Sequence, residues 1–196
     1  NRYIKYIKTD AAAYFNRASA LEDLKKYKSA IADYKKSIEL NPQDASAYCN
    51  LGNIMYNSKK YKEALVYFNN AIKFDSTMKQ AHYGRGLVNN STDNDAEAID
   101  DFNRALSLDP KYDKAFVGRG VAYSHLGNYQ AALENYSKSI ELKPKDNEDG
   151  AVAYYNRGNM KVKLDDIDGA IQDYKIAYGF GYKAAKKEID ILQKQQ

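Results

Sequence analysis

Three observations predict an all-α fold, a stacked array of antiparallel helix pairs. First, small and aromatic residues recur every 34 positions. Ala30, Ala64, Ala98 and Ala132 are followed four residues later by Tyr34, Phe68, Phe102 and Tyr136, then by Ser37, Ala71, Ala105 and Ser139. Second, the same grid carries Ala18, Gly52, Gly86 and Gly120 upstream. Downstream it carries Pro42, Pro110 and Pro144, with Ser76 in the slot between the first two prolines. Third, each copy reads as two amphipathic stretches with a break, as in residues 115–144, where Leu126-Gly127-Asn128 divides them. A fifth copy carries Gly158, Ala170, Tyr174 and Ala177, 38 residues after their counterparts, and the four extra residues fall in the polar stretch 145–150.

Physical reasons for the grid are simple. One hairpin buries only part of its apolar stripe, so neighbours must stack. Small residues let helix backbones approach, and the aromatic fills the space between hairpins. Proline ends the second helix by disfavouring helical geometry in the residue before it. A 34-residue period with these offsets resembles the tetratricopeptide repeat, TPR, over residues 11–182. The resemblance implies a right-handed superhelical solenoid of five TPR units with a capping helix.

Taken in order, residues 1–10 read as the tail of an upstream helix or a linker. Repeat 1 is 11–44, with helices near 11–24 and 27–40; repeat 2 is 45–78, with helices near 45–57 and 61–74. Repeat 3 is 79–112, with helices near 79–90 and 95–108. It is irregular, because Asn89, Thr92 and Asp95 stand where repeat 4 has Tyr123, Leu126 and Tyr129, and three apolar contacts are expected to be lost. Repeat 4 is 113–146, with helices near 113–126 and 129–142. Repeat 5 is 151–182, with helices near 151–164 and 167–178; Tyr182 takes its proline slot, and Gly179 and Gly181 supply the stop instead. Residues 183–196 read as a capping helix with Ala185, Ile189 and Leu192 on one face and Lys186, Lys187, Asp190 and Lys194 in water.

Composition narrows the function classes. The net charge is +4, and seven basic against three acidic residues in 1–10 and 183–196 account for all of it. The repeats are therefore neutral, without the basic stripe of a nucleic-acid binder. One cysteine excludes an intrachain disulfide. No apolar run reaches the ~18 residues of a membrane-spanning helix, so no membrane insertion is expected in this segment. The chain begins at Asn1 rather than Met, and a removed N-terminal segment is expected. The compartment stays open between cytoplasm and, behind a signal segment, periplasm.

Residues for chemistry are sparse. There is no Gly-rich phosphate loop, paired-histidine motif or cysteine cluster, and no cofactor, metal or catalytic activity is expected. His82 takes the slot of Tyr14, Tyr48, Phe116 and Tyr154 and reads as a core substitute. His125 and Cys49 are two repeats apart. Asp33, Asp100 and Asp173 read as a solvated face.

By resemblance, positions 2, 5, 6, 9, 12 and 13 of each first helix line the concave side. The candidate partner-binding residues are Phe15, Asn16 and Ser19 in repeat 1, and Asn50, Asn53 and Tyr56 in repeat 2. Repeat 3 adds Tyr83, Gly84 and Leu87; repeat 4 adds Lys114, Gly118, Val121 and His125; repeat 5 adds Tyr155, Asn156, Asn159 and Lys163. Asn16, Asn50 and Asn156 share position 6, where a carboxamide can pair with both sides of a peptide bond; Gly84 and Gly118 in that slot suggest a wider pocket. The family's chaperone-tail clamp needs Lys and Arg where this chain has Phe15, Gln80 and Gly84, or Cys49 and Gly118 beside a lone match at Lys114, or Tyr83, Val152 and Asn156. No such clamp is expected. The leading reading is a non-enzymatic scaffold that binds a protein or peptide segment in its groove. The alternative is an adaptor segment of a longer polypeptide whose catalytic or anchoring part lies before Asn1. Self-association is a third option.

Overall fold

The computed structural model describes residues 10–142 and 148–194. They form eleven α-helices, and no strand occurs among the described residues. The readings of residues 1–9, of Pro144 and of 145–147 lie outside the described residues. Two compact units divide the chain, one ending at Thr92 and the other beginning at Asp93.

The N-terminal unit holds α1 (Ala11–Asp23), α2 (Tyr27–Leu40), α3 (Ala45–Asn57), α4 (Tyr61–Phe74) and α5 (Lys79–Ser91). Hairpins α1–α2 and α3–α4 stack through α2 on α3, and α5 packs on both α4 and α3. The C-terminal unit holds α6 (Asp95–Leu108), α7 (Asp113–His125), α8 (Tyr129–Leu142), α9 (Glu148–Lys163), α10 (Ile167–Gly179) and α11 (Ala185–Gln193). Each of these helices packs on the next. α9 starts within the four-residue insertion, three residues earlier than the pattern predicts.

Short turns close the hairpins through one left-handed residue. Gly127 has φ 74°, whereas Lys25, Lys59, Asp93 and Asp165 adopt 56°, 59°, 59° and 62° without glycine's freedom. Gly127 N donates to the Ser124 carbonyl at 3.0 Å and Asn128 N to that of Tyr123 at 2.9 Å, which satisfies the helix's last acceptors. The same pair of bonds ends α10 at Gly181 (φ 97°), with Tyr182 N on the Ala177 carbonyl at 3.0 Å. At the other ends, Asp10, Asp44 and Asp166 cap α1, α3 and α10 by accepting from backbone amides.

The aromatic slot is the centre of each interface. Tyr34, Phe68 and Phe102 are fully buried, and Tyr136 and Tyr174 are nearly so. The Phe68 ring sits between Gly52 and Gly84, and a Cβ on either glycine would overlap it. On α11, Ala185, Ile189 and Leu192 are buried in one cluster with Ala170, Ile171, Tyr174 and Ala177, while Lys186, Lys187 and Asp190 stay exposed.

Two expectations are corrected. Asp33 and Asp173 are buried rather than solvated; only Asp100 is exposed. They are held by the arginines described below. Repeat 3 also lacks two apolar contacts rather than three: Tyr123 and Tyr129 pack on the repeat 4 cluster, whereas Leu126 is 56% exposed.

Candidate functional site

The first helix of each repeat, α1, α3, α5, α7 and α9, carries the candidate residues. In the N-terminal unit Asn16 is exposed, and Phe15, Ser19, Asn50, Asn53, Tyr56, Tyr83 and Leu87 are half-buried. In the C-terminal unit Lys114, His125 and Lys163 are exposed, and Val121, Tyr155, Asn156 and Asn159 are half-buried. Gly84 and Gly118 are buried. The pocket expected over them does not exist. A Cβ at Gly84 would overlap the Phe68 ring, and one at Gly118 would lie 2.6 Å from Phe102 Cζ. Each phenylalanine from the preceding repeat already fills the space that the missing side chain leaves.

Asn50 already has a partner within the chain. Its Nδ2 donates to Tyr34 Oη at 2.9 Å, and that hydroxyl donates to Glu22 Oε2 at 2.9 Å. Burial, then the bond to Glu22, pushes the Tyr34 phenol up to about 12. Position 6 therefore follows the aromatic of the preceding repeat. Where that aromatic is Tyr34, an amide meets its hydroxyl; where it is Phe68 or Phe102, glycine admits the bare ring. Asn159 is engaged as well, accepting from Tyr174 Oη at 2.7 Å.

The apolar part of the stripe is supported from behind. Phe15 meets Tyr34 edge-on at 5.6 Å between ring centroids, and Tyr155 packs on Tyr182 at 4.6 Å. Beyond Tyr155, α9, α10 and α11 line an open depression of about 500 Å³ formed by Asn159, Val162, Lys163, Tyr174, Glu188, Ile191 and Leu192. Ile191 is 40% exposed there; the sequence reading had not placed it near the groove.

A second set of residues escaped that reading. Arg17 Nε and Nη2 donate to Asp33 Oδ2 and Oδ1 at 2.5 and 2.7 Å. Arg157 makes the same fork to Asp173 at 2.8 Å for both bonds, and Lys161 Nζ adds a contact at 3.0 Å. Each guanidinium also lies 5.3 Å from the centroid of the ring three residues before it, Tyr14 or Tyr154. The signal was an arginine at position 7 and a carboxylate sixteen residues later, across the turn.

The reactive side chains are quiet. Cys49 is 4% exposed, and burial pushes its thiol up to about 11, so it stays protonated near neutrality. His125 Nδ1 lies 3.0 Å from Asp95 Oδ1. Among the described residues no group of His, Cys, Asp and Glu could hold a metal ion. No described helix is long and apolar enough to cross a membrane.

Stacked two-helix repeats with amide and aromatic residues along their first helices define a helical-repeat interaction scaffold. Family models agree in detail. One described as "TPR repeat" matches residues 22–59, and models described as "Tetratricopeptide repeat" match 45–78, 79–112 and 113–146. The chain belongs to the tetratricopeptide repeat family. No curated protein sequence matches it. Among solved structures, it is similar to YrrB, described as "a TPR protein with an unusual peptide-binding site", at 26% identity and TM-score 0.73 over 95% of this chain and 96% of that one. It is similar to MamA at 26% identity and TM-score 0.73, over 90% and 94% of the two chains. Yeast Tom70 shares the fold at 19% identity and TM-score 0.76, over all of this chain and 42% of that one.

Proposed function

We propose that the stripe along α1, α3 and α5, and that along α7 and α9, each hold an extended segment of a partner protein. The observation that carries this reading is the half-exposed apolar set Phe15, Tyr56, Leu87, Val121 and Tyr155. The fold leaves these side chains partly in water, interleaved with Asn16, Asn53 and Asn156. Such a mixture suits a peptide, whose side chains need apolar contact and whose backbone needs hydrogen bonds. The peptide-binding description of YrrB supports the same reading. Charge sets a preference within each unit. Glu22 and Asp23 lie on the α1 stripe, so the N-terminal unit favours basic segments. Lys114 and Lys163 make the other stripe favour acidic ones. An adaptor segment of a longer polypeptide would use the same surface.

The test is affinity capture from an extract of the source cells, with the bound proteins read by mass spectrometry. Leu87→Lys and Val121→Lys alter the two stripes, and Val66→Lys alters an exposed site on α4 as a control. The reading expects a partner retained by the control and lost from the stripe variants. A partner retained by all four proteins would contradict it.

A further inference from the structure

We propose that Arg119 forms a binding site for a single carboxylate, supplied by an aspartate or glutamate side chain of a partner protein. Arg17 and Arg157, at the same position of repeats 1 and 5, each grip a carboxylate of the chain itself. Repeat 4 keeps the arginine and drops the acid. Asn135 stands where those repeats have Asp33 and Asp173, and Asn103 lies on the other side. Arg119 Nε donates to Asn135 Oδ1 at 2.8 Å and Nη1 donates to Asn103 Oδ1 at 2.6 Å. Both acceptors are neutral. Nη2, which in Arg17 and Arg157 bonds the second carboxylate oxygen, donates to none of the described residues. The Asn135 amide nitrogen cannot accept and is itself committed to the Ala131 carbonyl at 2.8 Å.

The side chain is nevertheless held in place. Its guanidinium is half-buried between α6 and α8 and lies 5.3 Å from the centroid of the Phe116 ring. Burial lowers its pKa, and only the Tyr123 phenol opposes that shift. The exposed carboxylates of α8 are engaged elsewhere: Glu134 Oε1 accepts from Gln130, and Glu141 pairs with Lys138. A positive charge partly removed from water, with only neutral partners, gains most from an anion that fits its remaining edge. That edge is Nη2 and the outer proton of Nη1, a two-pronged donor matched to a carboxylate. One uncompensated charge calls for one negative charge. A nucleic acid would need a run of such cations. The site is at position 7, off the α7 stripe, so it extends the contact a partner makes rather than duplicating the groove.

The experiment is a side-chain NMR titration of the full chain labelled with ¹⁵N-arginine. The probe is a blocked acidic peptide, Ac-Gly-Glu-Gly-Glu-NH₂, and sodium phosphate is the comparison at equal ionic strength. The Arg119 Nε–Hε resonance is expected to shift along a saturable curve, with Arg17 and Arg157 unmoved. Asn135→Asp restores the acid that repeats 1 and 5 contain and should weaken the response by about tenfold or more, because the fork is then filled. No selective shift at Arg119, or a shift that survives Asn135→Asp, would overturn the proposal. A tighter response to phosphate than to the peptide would overturn its carboxylate assignment. None of these outcomes bears on the groove, since Leu87 and Val121 are untouched.

Discussion

The pairing of position 6 with the preceding aromatic shows how a single atom sets its neighbour. Phe68 and Phe102 leave no room for a Cβ at Gly84 and Gly118, although alanine is the better helix former. Two effects oppose each other at Gly118→Ala: about 1 kcal/mol gained in helix propensity, and about 1–3 kcal/mol lost to overpacking. The overlap at 2.6 Å is with the far end of a ring confined by α7, so overpacking is expected to win. Gly118→Ala should therefore lower the urea midpoint. A raised midpoint would show that the ring can turn aside. The left-handed lysines supply the opposite case. Lys59 sits at φ 59°, and Lys59→Gly should stabilise the chain by up to about 1 kcal/mol; thermal unfolding of the pair checks this. Tyr34 contributes a pH dependence. Its phenol titrates at about 12 when folded and near ~10 when unfolded. The folded state thus holds its proton after the unfolded state has released it, and stability falls as pH rises from 10 towards 12. Tyr34→Phe should remove part of that alkaline loss, at the cost of the Asn50 bond.

Among elements, the segment between α5 and α6 contains the boundary between the two compact units. Amide exchange should be faster across 88–97 than across 122–131, and equal protection would contradict this. At the other end, α11 covers Ala170, Ile171, Tyr174 and Ala177 with Ala185, Ile189 and Leu192. Removing 183–196 uncovers that apolar face, so the shortened chain should melt lower and self-associate, as light scattering would show. A monomeric fragment of unchanged melting temperature would assign the helix another role.

At the scale of the whole molecule, the helix boundaries were legible because each slot on the 34-residue grid has one physical demand. Tyr34, Phe68, Phe102, Tyr136 and Tyr174 could be placed at interfaces by size alone, and all are buried. Pairwise relations were not legible. Asp33 and Asp173 look solvated in a helical pattern that cannot see Arg17 and Arg157 reaching them from the preceding helix. Asn50 looks like a ligand-binding amide until Tyr34 is found against it. What remains for a partner are residues that the framework does not consume: Asn16, Asn53, Leu87, Val121 and Lys163 among them. The central claim is that first-helix stripes bind while second helices hold the fold. It is tested most directly by hydrogen–deuterium exchange of the chain with and without its captured partner. The account predicts added protection confined to 12–23, 46–57 and 80–91, or to 114–125 and 152–163. Protection concentrated instead in 27–40, 61–74 and 129–142, with those first helices unchanged, would contradict it.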